Sequence, residues 1–308
     1  MPRITYLGPQ GTFTESALQQ MVSGGLVPGG AAVTPVPTDS TPAGLEAVRS
    51  GAADYACVPI ENSIEGSVLP TLDSLAVGVP LQIVAELTLD VSFSIVVRPD
   101  HQGDVTTVAA FPVAAAQVRR WLTEHLPAAQ LIPAHSNAAA AADVAAGRAD
   151  AGVSTALAAD HYGLRSLAAG VVDEPNARTR FVLVGRPAPP PSRTGADRTS
   201  VALRLPNIPG ALVAAMTELS IRDIDLTRIE SRPTRTELGT YVFFLDWVGH
   251  IDDDAVAEAL KALHSRCADV RYLGSWPTGT AAGAPPPRSD EATRWLSRLR
   301  EGLPEDDR

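Results

Sequence analysis

Lysine is almost absent from this chain. Lys261 stands alone, the arginines are scattered, and the formal net charge is −10. Nucleic acid is held by clustered Lys and Arg that neutralise phosphates, so no nucleic-acid partner is expected. Cysteine is nearly as scarce, and Cys57 and Cys267 fall in different halves of the sequence. That placement predicts neither a disulfide nor a metal site and fits a reducing compartment. No apolar run approaches the roughly 18 residues of a membrane span, because LQIVAEL and FSIVV are each cut short by polar residues. The opening MPRITYLGPQG enters a strand pattern at once, without the basic stretch, apolar run and small-residue cleavage site of an export signal. The expectation is a cytoplasmic protein with no membrane partner.

What is present is organisation. At 308 residues the chain is long for one domain, so two are expected. The Pro-rich RPAPPPS, Arg186 to Ser192, separates them. The boundaries read 1–186 for the first domain, 187–197 for a linker, 198–276 for the second domain and 277–308 for a tail. That tail begins as a flexible TGTAAGAPPPR spacer. It continues from Ser289 to Leu303 as an amphipathic helix with Trp295, Leu296, Leu299 and Leu303 on one face.

In the first domain Arg3 to Leu7 is a strand, and Thr12 with Glu15 predicts a capping box opening a helix with Ala17, Leu18, Met21 and Val22 on one face. Its free N–H groups suit an anion, and the alternative reading is a plain αβ connection. In DYACVPIENSIEGSV an apolar strand gives way to Glu61, Asn62, Ser63, Glu65, Gly66 and Ser67, more polar residues than a helix cap needs. The runs Leu81 to Leu89 and Val91 to Val97 carry the chain into a second lobe. There Pro112 starts a helix through Gln117 to about Leu126, and Asn137 caps an alanine-rich helix. ARTRFVLVG, Ala177 to Gly185, then drives a polar cluster into an apolar strand. The alternation of strand and helix predicts an α/β domain of mostly parallel sheets. It divides into lobes from Arg3 to about Leu75 and from about Leu81 to Ser154, with Val171 to Val184 returning to close the first. The second domain reads βαββαβ, with two helices on one face of an antiparallel sheet whose other face or edges need cover.

Three segments resemble prephenate dehydratase and stand in that family's order: YLGPQGTFTESAL from Tyr6, VPIENSIEGSV from Val58 and NARTRF from Asn176. NIPGAL, Asn207 to Leu212, and IESRP, Ile229 to Pro233, resemble the ACT regulatory module fused to that enzyme. The resemblance implies a two-lobed, periplasmic-binding-protein-like α/β catalytic domain plus a ferredoxin-like βαββαβ ACT domain. It implies decarboxylating dehydration of prephenate to phenylpyruvate, L-phenylalanine as effector, and a homodimer or homotetramer through the ACT domains. Carried over by motif, the catalytic residues are Thr179, Glu61, Asn62 and Gln117, and the substrate contacts are Gly11, Thr12, Thr14, Ser63, Arg180 and Phe181. The effector contacts are Asn207, Pro209, Gly210, Ala211, Leu212, Glu230 and Ser231. One segment departs from the family: where it has Ser-His-Pro-Gln followed by Gln-Cys, this chain has Ala110, Phe111, Pro112 and Val113, then Gln117 and Val118.

Aromatisation of the ring drives this reaction, so neither cofactor nor metal is implied. Thr179 is expected to donate a hydrogen bond to the departing hydroxyl, since a threonine is too weak an acid for general-acid work. Strand alternation aims Arg180 away from Thr179 and Phe181, leaving it either structural or a substrate contact. Glu61, a carboxylate beside a dianion, either orients other donors or carries a proton. Two other readings remain at this stage: an enzyme preferring the aminated substrate arogenate, and a two-lobed ligand sensor without chemistry.

Overall fold

The computed structural model describes residues 1–30, 32–235, 237–279, 283–286 and 290–302. The chain forms two compact units, Met1–Ser74 with Ala85–Arg186, and Leu75–Val84 with Pro187–Arg308. The first carries, in chain order, β1 (Arg3–Leu7), α1 (Phe13–Ser23), β2 (Thr34–Thr38), α2 (Thr41–Arg49), β3 (Tyr55–Asn62), β4 (Gly66–Ser67) and α3 (Leu69–Ala76). It continues through β5 (Gln82–Asp90), whose first three residues fall in the second unit, β6 (Phe93–Val97), β7 (Thr107–Ala110), α4 (Pro112–Gln117), α5 (Arg119–His125) and β8 (Gln130–Pro133). Then follow α6 (Asn137–Ala145), β9 (Ala151–Ser154), α7 (Ala156–His161), β10 (Arg165–Val171) and β11 (Arg178–Gly185).

These strands make two sheets, one for each lobe: β2-β1-β3-β11-β5, with β4 on β3, and β10-β6-β9-β7-β8. Both are mixed rather than mostly parallel. β1 pairs in parallel with β2 and β3, but β11 returns antiparallel to β3. In the second sheet β7 is parallel to β8 and β9, while β6 is antiparallel to β9 and β10. The cause is the double crossing: a chain that leaves one sheet and re-enters it without a helical crossover arrives running the other way.

The crossing also lies later than the sequence suggests. β5 belongs to the first sheet, and the chain changes lobes at Val91, whose N–H donates to Ala177 O on the returning segment at 2.7 Å. β5 and β6 are separated only by Val91 and Ser92, and their apolar runs carry no mark of which sheet each joins. β10, not anticipated as a strand, is a mostly exposed edge strand with no alternation to betray it. The helix expected from Pro112 to Leu126 breaks at Val118, whose φ is −125°. Distant Asp173 makes the break: its N–H binds Gln117 O at 2.7 Å, and its carboxylate accepts from Arg120 N at 2.9 Å. Ser136, not Asn137, caps α6 by accepting from Ala139 N at 3.0 Å. Alanines let α6 lie close on β9, where a Cβ at Gly152 would sit 3.0 Å from Ala140 O.

The second unit carries β12 (Asp197–Arg204), α8 (Ala211–Ser220), β13 (Leu226–Pro233), β14 (Tyr241–Val248), α9 (Asp254–Arg266), β15 (Asp269–Pro277) and α10 (Asp290–Arg300). Its antiparallel sheet runs β13-β14-β12-β15, the ferredoxin-like order. Val201, Leu203, Leu245 and Trp247 make its core with Leu219 and Leu263 of the helices. On the opposite face buried Asp246 gathers Ser200 Oγ at 2.7 Å and Arg228 Nε at 2.8 Å. Residues Leu75–Val84 cover part of that face: Arg271 Nη1 donates to Gly78 O at 3.0 Å, and a Cβ on Gly274 would collide with the Ile83 backbone. In the tail, Ala284 N donates to Asp225 Oδ2 at 3.1 Å and Pro286 is buried. The helix predicted from Ser289 to Leu303 appears as α10; Ser289 and Leu303 themselves lie outside the described residues.

Candidate active site

In the first sheet the parallel strands β1 and β3 end at the same edge at which antiparallel β11 begins. Helix α1 starts there too. Thr12 caps it by accepting from Glu15 N at 3.3 Å, while the Glu15 carboxylate accepts from Gly11 N at 2.6 Å. The capping box thus closes one residue earlier than its usual form and consumes the Gly11 donor. The second sheet presents an opposing edge, where α4, α6 and α7 start after β7, β8 and β9. The lobes meet where Thr155 Oγ1 donates to Gly11 O at 2.6 Å and the rings of Phe13 and Phe93 stand edge to face at 5.6 Å. Gly11 has φ +87°, and a Cβ there would lie 2.8 Å from Ala158 Cβ, so this junction requires glycine on two counts.

A one-residue slip builds the centre of the site. β11 pairs Leu183 with Cys57 and Phe181 with Pro59, but Arg180 with Glu61 and Thr179 with Asn62. The extra residue on β3 reverses its alternation. Asn62 therefore joins Thr179 on the face of Phe181 and of Cys57, whose thiol reaches Thr14 O in α1 at 3.7 Å. Without the slip Asn62 would point to the other side. Burial pushes the Cys57 thiol up, so it stays protonated and is no nucleophile.

The polarity of the central hydrogen bond is fixed by its neighbours. Asn62 Oδ1 accepts from Ile64 N at 2.8 Å and from Glu65 N at 3.0 Å, which leaves Nδ2 to face Thr179. Nδ2 donates to Thr179 Oγ1 at 2.9 Å. With its oxygen engaged as acceptor, the hydroxyl proton of Thr179 is available to a third group. Thr179 is 8% exposed, enough shelter to strengthen such a bond. Ser63 serves the strands instead: its hydroxyl accepts from Arg178 N at 2.9 Å and donates to Asn176 O at 3.2 Å.

Behind Thr179 lies an ion cluster. Arg180 Nη2 stands 3.0 Å from Glu61 Oε2, and Nη1 stands 3.2 Å from Glu86 Oε2. Arg180 and Glu86 are buried, whereas the Glu61 side chain is 41% exposed. Arg180 is thus enclosed between two carboxylates on the face opposite Thr179, and Phe181 is part of the buried core. Gln117, on α4, is buried with Oε1 unpartnered among the described residues, and no hydrogen bond joins it to the Thr179 cluster there.

A model of the prephenate dehydratase family matches residues 4–189, and one of the ACT domain matches residues 199–265. The chain belongs to the prephenate dehydratase family. A prephenate dehydratase of Mycobacterium sp. (strain JLS) is 90% identical over 308 residues, covering 99% of this chain and 98% of that one. A crystal structure of prephenate dehydratase from Arthrobacter aurescens in complex with L-Phe superposes with a TM-score of 0.85 at 40% identity, covering 97% of this chain and all of the other. A chain described as GqqA, a novel type of quorum quenching acylase, matches at TM-score 0.77 and 29% identity over 90% of this chain and 98% of its own. A shared fold therefore accommodates more than one named activity, and the side chains must carry the chemistry. This dehydratase is a lyase with an ACT domain, and among its described residues no helix is long and apolar enough to cross a membrane.

In the dehydratase's ACT domain, Asn207, Ile208, Pro209 and Gly210 form an exposed turn. Gly210, at φ +80°, starts α8 without a side-chain cap, and Ala211 and Leu212 follow in its first turn. Glu230 and Ser231 lie on β13, paired with Phe244 and Phe243 of β14. β14 separates β13 from β12, the strand that leads into the Asn207 to Leu212 turn. Sequence reasoning missed Glu86. Its signal was there: a lone carboxylate inside the apolar run QIVAELTL, since a buried charge needs a partner.

Proposed function

We propose that the dehydratase binds prephenate against the Thr179–Asn62 pair, with Thr179 as hydrogen-bond donor to the departing hydroxyl. The ring carboxylate leaves as carbon dioxide and its bonding pair enters the ring. The ring C–O bond breaks, and the hydroxyl takes up one proton to leave as water. The observation that carries this is the donated bond from Asn62 Nδ2 to Thr179 Oγ1, which aims the hydroxyl proton outward and stabilises negative charge growing on that oxygen.

The substrate's side-chain carboxylate is assigned to the start of α1. Glu15 takes the Gly11 donor, and the N–H groups of Phe13 and Thr14 lead the helix. Thr12 and Thr14 flank that position. Gln117 is assigned to the second-lobe side of the substrate, where its buried carbonyl needs a donor. Glu61 is assigned to orientation through Arg180.

L-phenylalanine is proposed as effector, seated at the Asn207 to Leu212 turn of one copy and the Glu230 to Ser231 strand of another. The site is assigned to the interface of a dimer, or of a tetramer built from it. Regulation requires that the amino acid bind one arrangement of the lobes better than another. A cytoplasmic location and the absence of a cofactor complete the reading.

Incubation with prephenate and separately with arogenate tests it. Phenylpyruvate from prephenate is the expected product, and phenylalanine from arogenate alone would overturn the substrate assignment. Sedimentation and rate titrated with L-phenylalanine test the regulatory half; no response in either would remove it.

A further inference from the structure

The carboxylate of Glu86 lies 3.2 Å from Arg180 Nη1, is buried, and does not face the reacting groups. A buried charge is costly, and its best-attested use is to select one register among alternatives. Here an alternative register is at hand. β3 and β11 slip by one residue between Phe181–Pro59 and Arg180–Glu61, and a ladder without the slip would turn Asn62 away from Thr179. The Glu61–Arg180 pair is the first rung beyond the slip, and Glu86, reaching from β5 on the other side of β11, holds the same guanidinium.

We propose that Glu86 is a positioning residue for the dehydration: through Arg180 and Glu61 it locks the slipped register that places Asn62 Nδ2 against Thr179 Oγ1. The guanidinium fork suits this, since Nε and Nη2 both address Glu61 Oε2, at 3.2 and 3.0 Å, while Nη1 points back to Glu86. One guanidinium thus serves both carboxylates at once. The three side chains bridge three adjacent strands, β3, β11 and β5. This inference rests on the assignment of Thr179 and Asn62 to the reaction.

The test is a kinetic cycle on the full chain, with Glu86→Leu and Glu86→Gln each made in the wild type and in Asn62→Ala, and folding checked by thermal melting. Leucine keeps the bulk but removes the acceptor that Glu86 supplies to Nη1, whereas glutamine retains one. Glu86→Leu is expected to lower kcat about tenfold or more with KM within about threefold, as small misplacements at a reacting centre do. Glu86→Gln is expected to restore kcat to within about threefold of wild type. In Asn62→Ala, where no donor remains to be positioned, Glu86→Leu is expected to cost less than about twofold further. The proposal is overturned if Glu86→Leu keeps kcat within about twofold, or if its loss is undiminished in Asn62→Ala. Should Glu86→Leu not fold, Glu86→Asp, which shortens the reach by one methylene, is read in the same cycle against the same limits. Wild-type rates in Asn62→Ala and Thr179→Ala would instead remove the underlying site assignment.

Discussion

Replacing Asn62 by Asp reverses the polarity of one hydrogen bond while sparing the fold. One carboxylate oxygen still accepts from the N–H groups of Ile64 and Glu65, the turn that Asn62 Oδ1 now forms at 2.8 and 3.0 Å. The other oxygen replaces Nδ2, 2.9 Å from Thr179 Oγ1, and can only accept. The threonine hydroxyl then donates to that carboxylate, and its proton is withdrawn from the substrate. Losing one aligned donor at a developing charge costs roughly 10²–10³ in kcat, about 2.7–4 kcal/mol. The new charge also repels a dianionic substrate, but that repulsion falls chiefly on KM, so the informative quantity is kcat at saturation. Phenylpyruvate formation measured to saturating prephenate, beside a thermal melt, gives both numbers. Asn62→Ala is the control, because it loses the donor and the turn together and destabilises by about 1 kcal/mol. A folded Asn62→Asp variant with kcat within about threefold of wild type would refute the polarity argument.

Other perturbations follow from the same geometry. Gly11→Ala places a methyl 2.8 Å from Ala158 Cβ on a backbone of φ +87°, so it combines left-handed strain with overpacking, about 2–4 kcal/mol together. A melt lowered by roughly 5–15 °C with reduced turnover is expected, and an unchanged melt would deny the close junction of the lobes. Bonds from Thr106 first, then Thr107, hold the Asp150 carboxyl down to about 2, below the ordinary 3.8. A depressed carboxylate stabilises above its unfolded pKa and loses that contribution as pH falls through the folded one, so the loss belongs between about pH 4 and 2. Asp150→Asn is expected to cost about 1 kcal/mol at neutral pH, after allowance for solvent screening, and to flatten acid unfolding in that window. An unaltered acid limb would contradict it. Gly210→Ala, at φ +80° in the ACT turn, is expected to weaken the phenylalanine response while leaving basal kcat unchanged. A full response in that variant would move the effector site elsewhere.

Much of this architecture was legible because local rules and tertiary structure agree. Arg3 to Leu7 is the predicted strand, and the ferredoxin-like order of the second unit follows its predicted elements. Where the reading failed, a distant residue decided the outcome. Asp173 splits the Pro112 helix from 53 positions away, and no periodicity within residues 112–126 records it. The motifs nominate Thr179, Asn62 and Glu61 as candidates, but not their spatial relation. Whether Asn62 faces Thr179 depends on one extra residue in a ladder between strands more than a hundred positions apart. Arg180 and Ser63 stand beside the centre yet spend their polar groups on other protein groups, which spacing alone does not reveal.

The central claim is that the Thr179 hydroxyl, oriented by Asn62, donates to the departing hydroxyl of prephenate. Comparison of kcat and KM for Thr179→Ala and Thr179→Ser tests it most directly. The account predicts roughly 10²–10³ lower kcat for the alanine variant with KM within about threefold, and kcat within about tenfold of wild type for the serine variant. Equal losses in both variants, or a Thr179→Ala enzyme turning over at the wild-type rate, would contradict it.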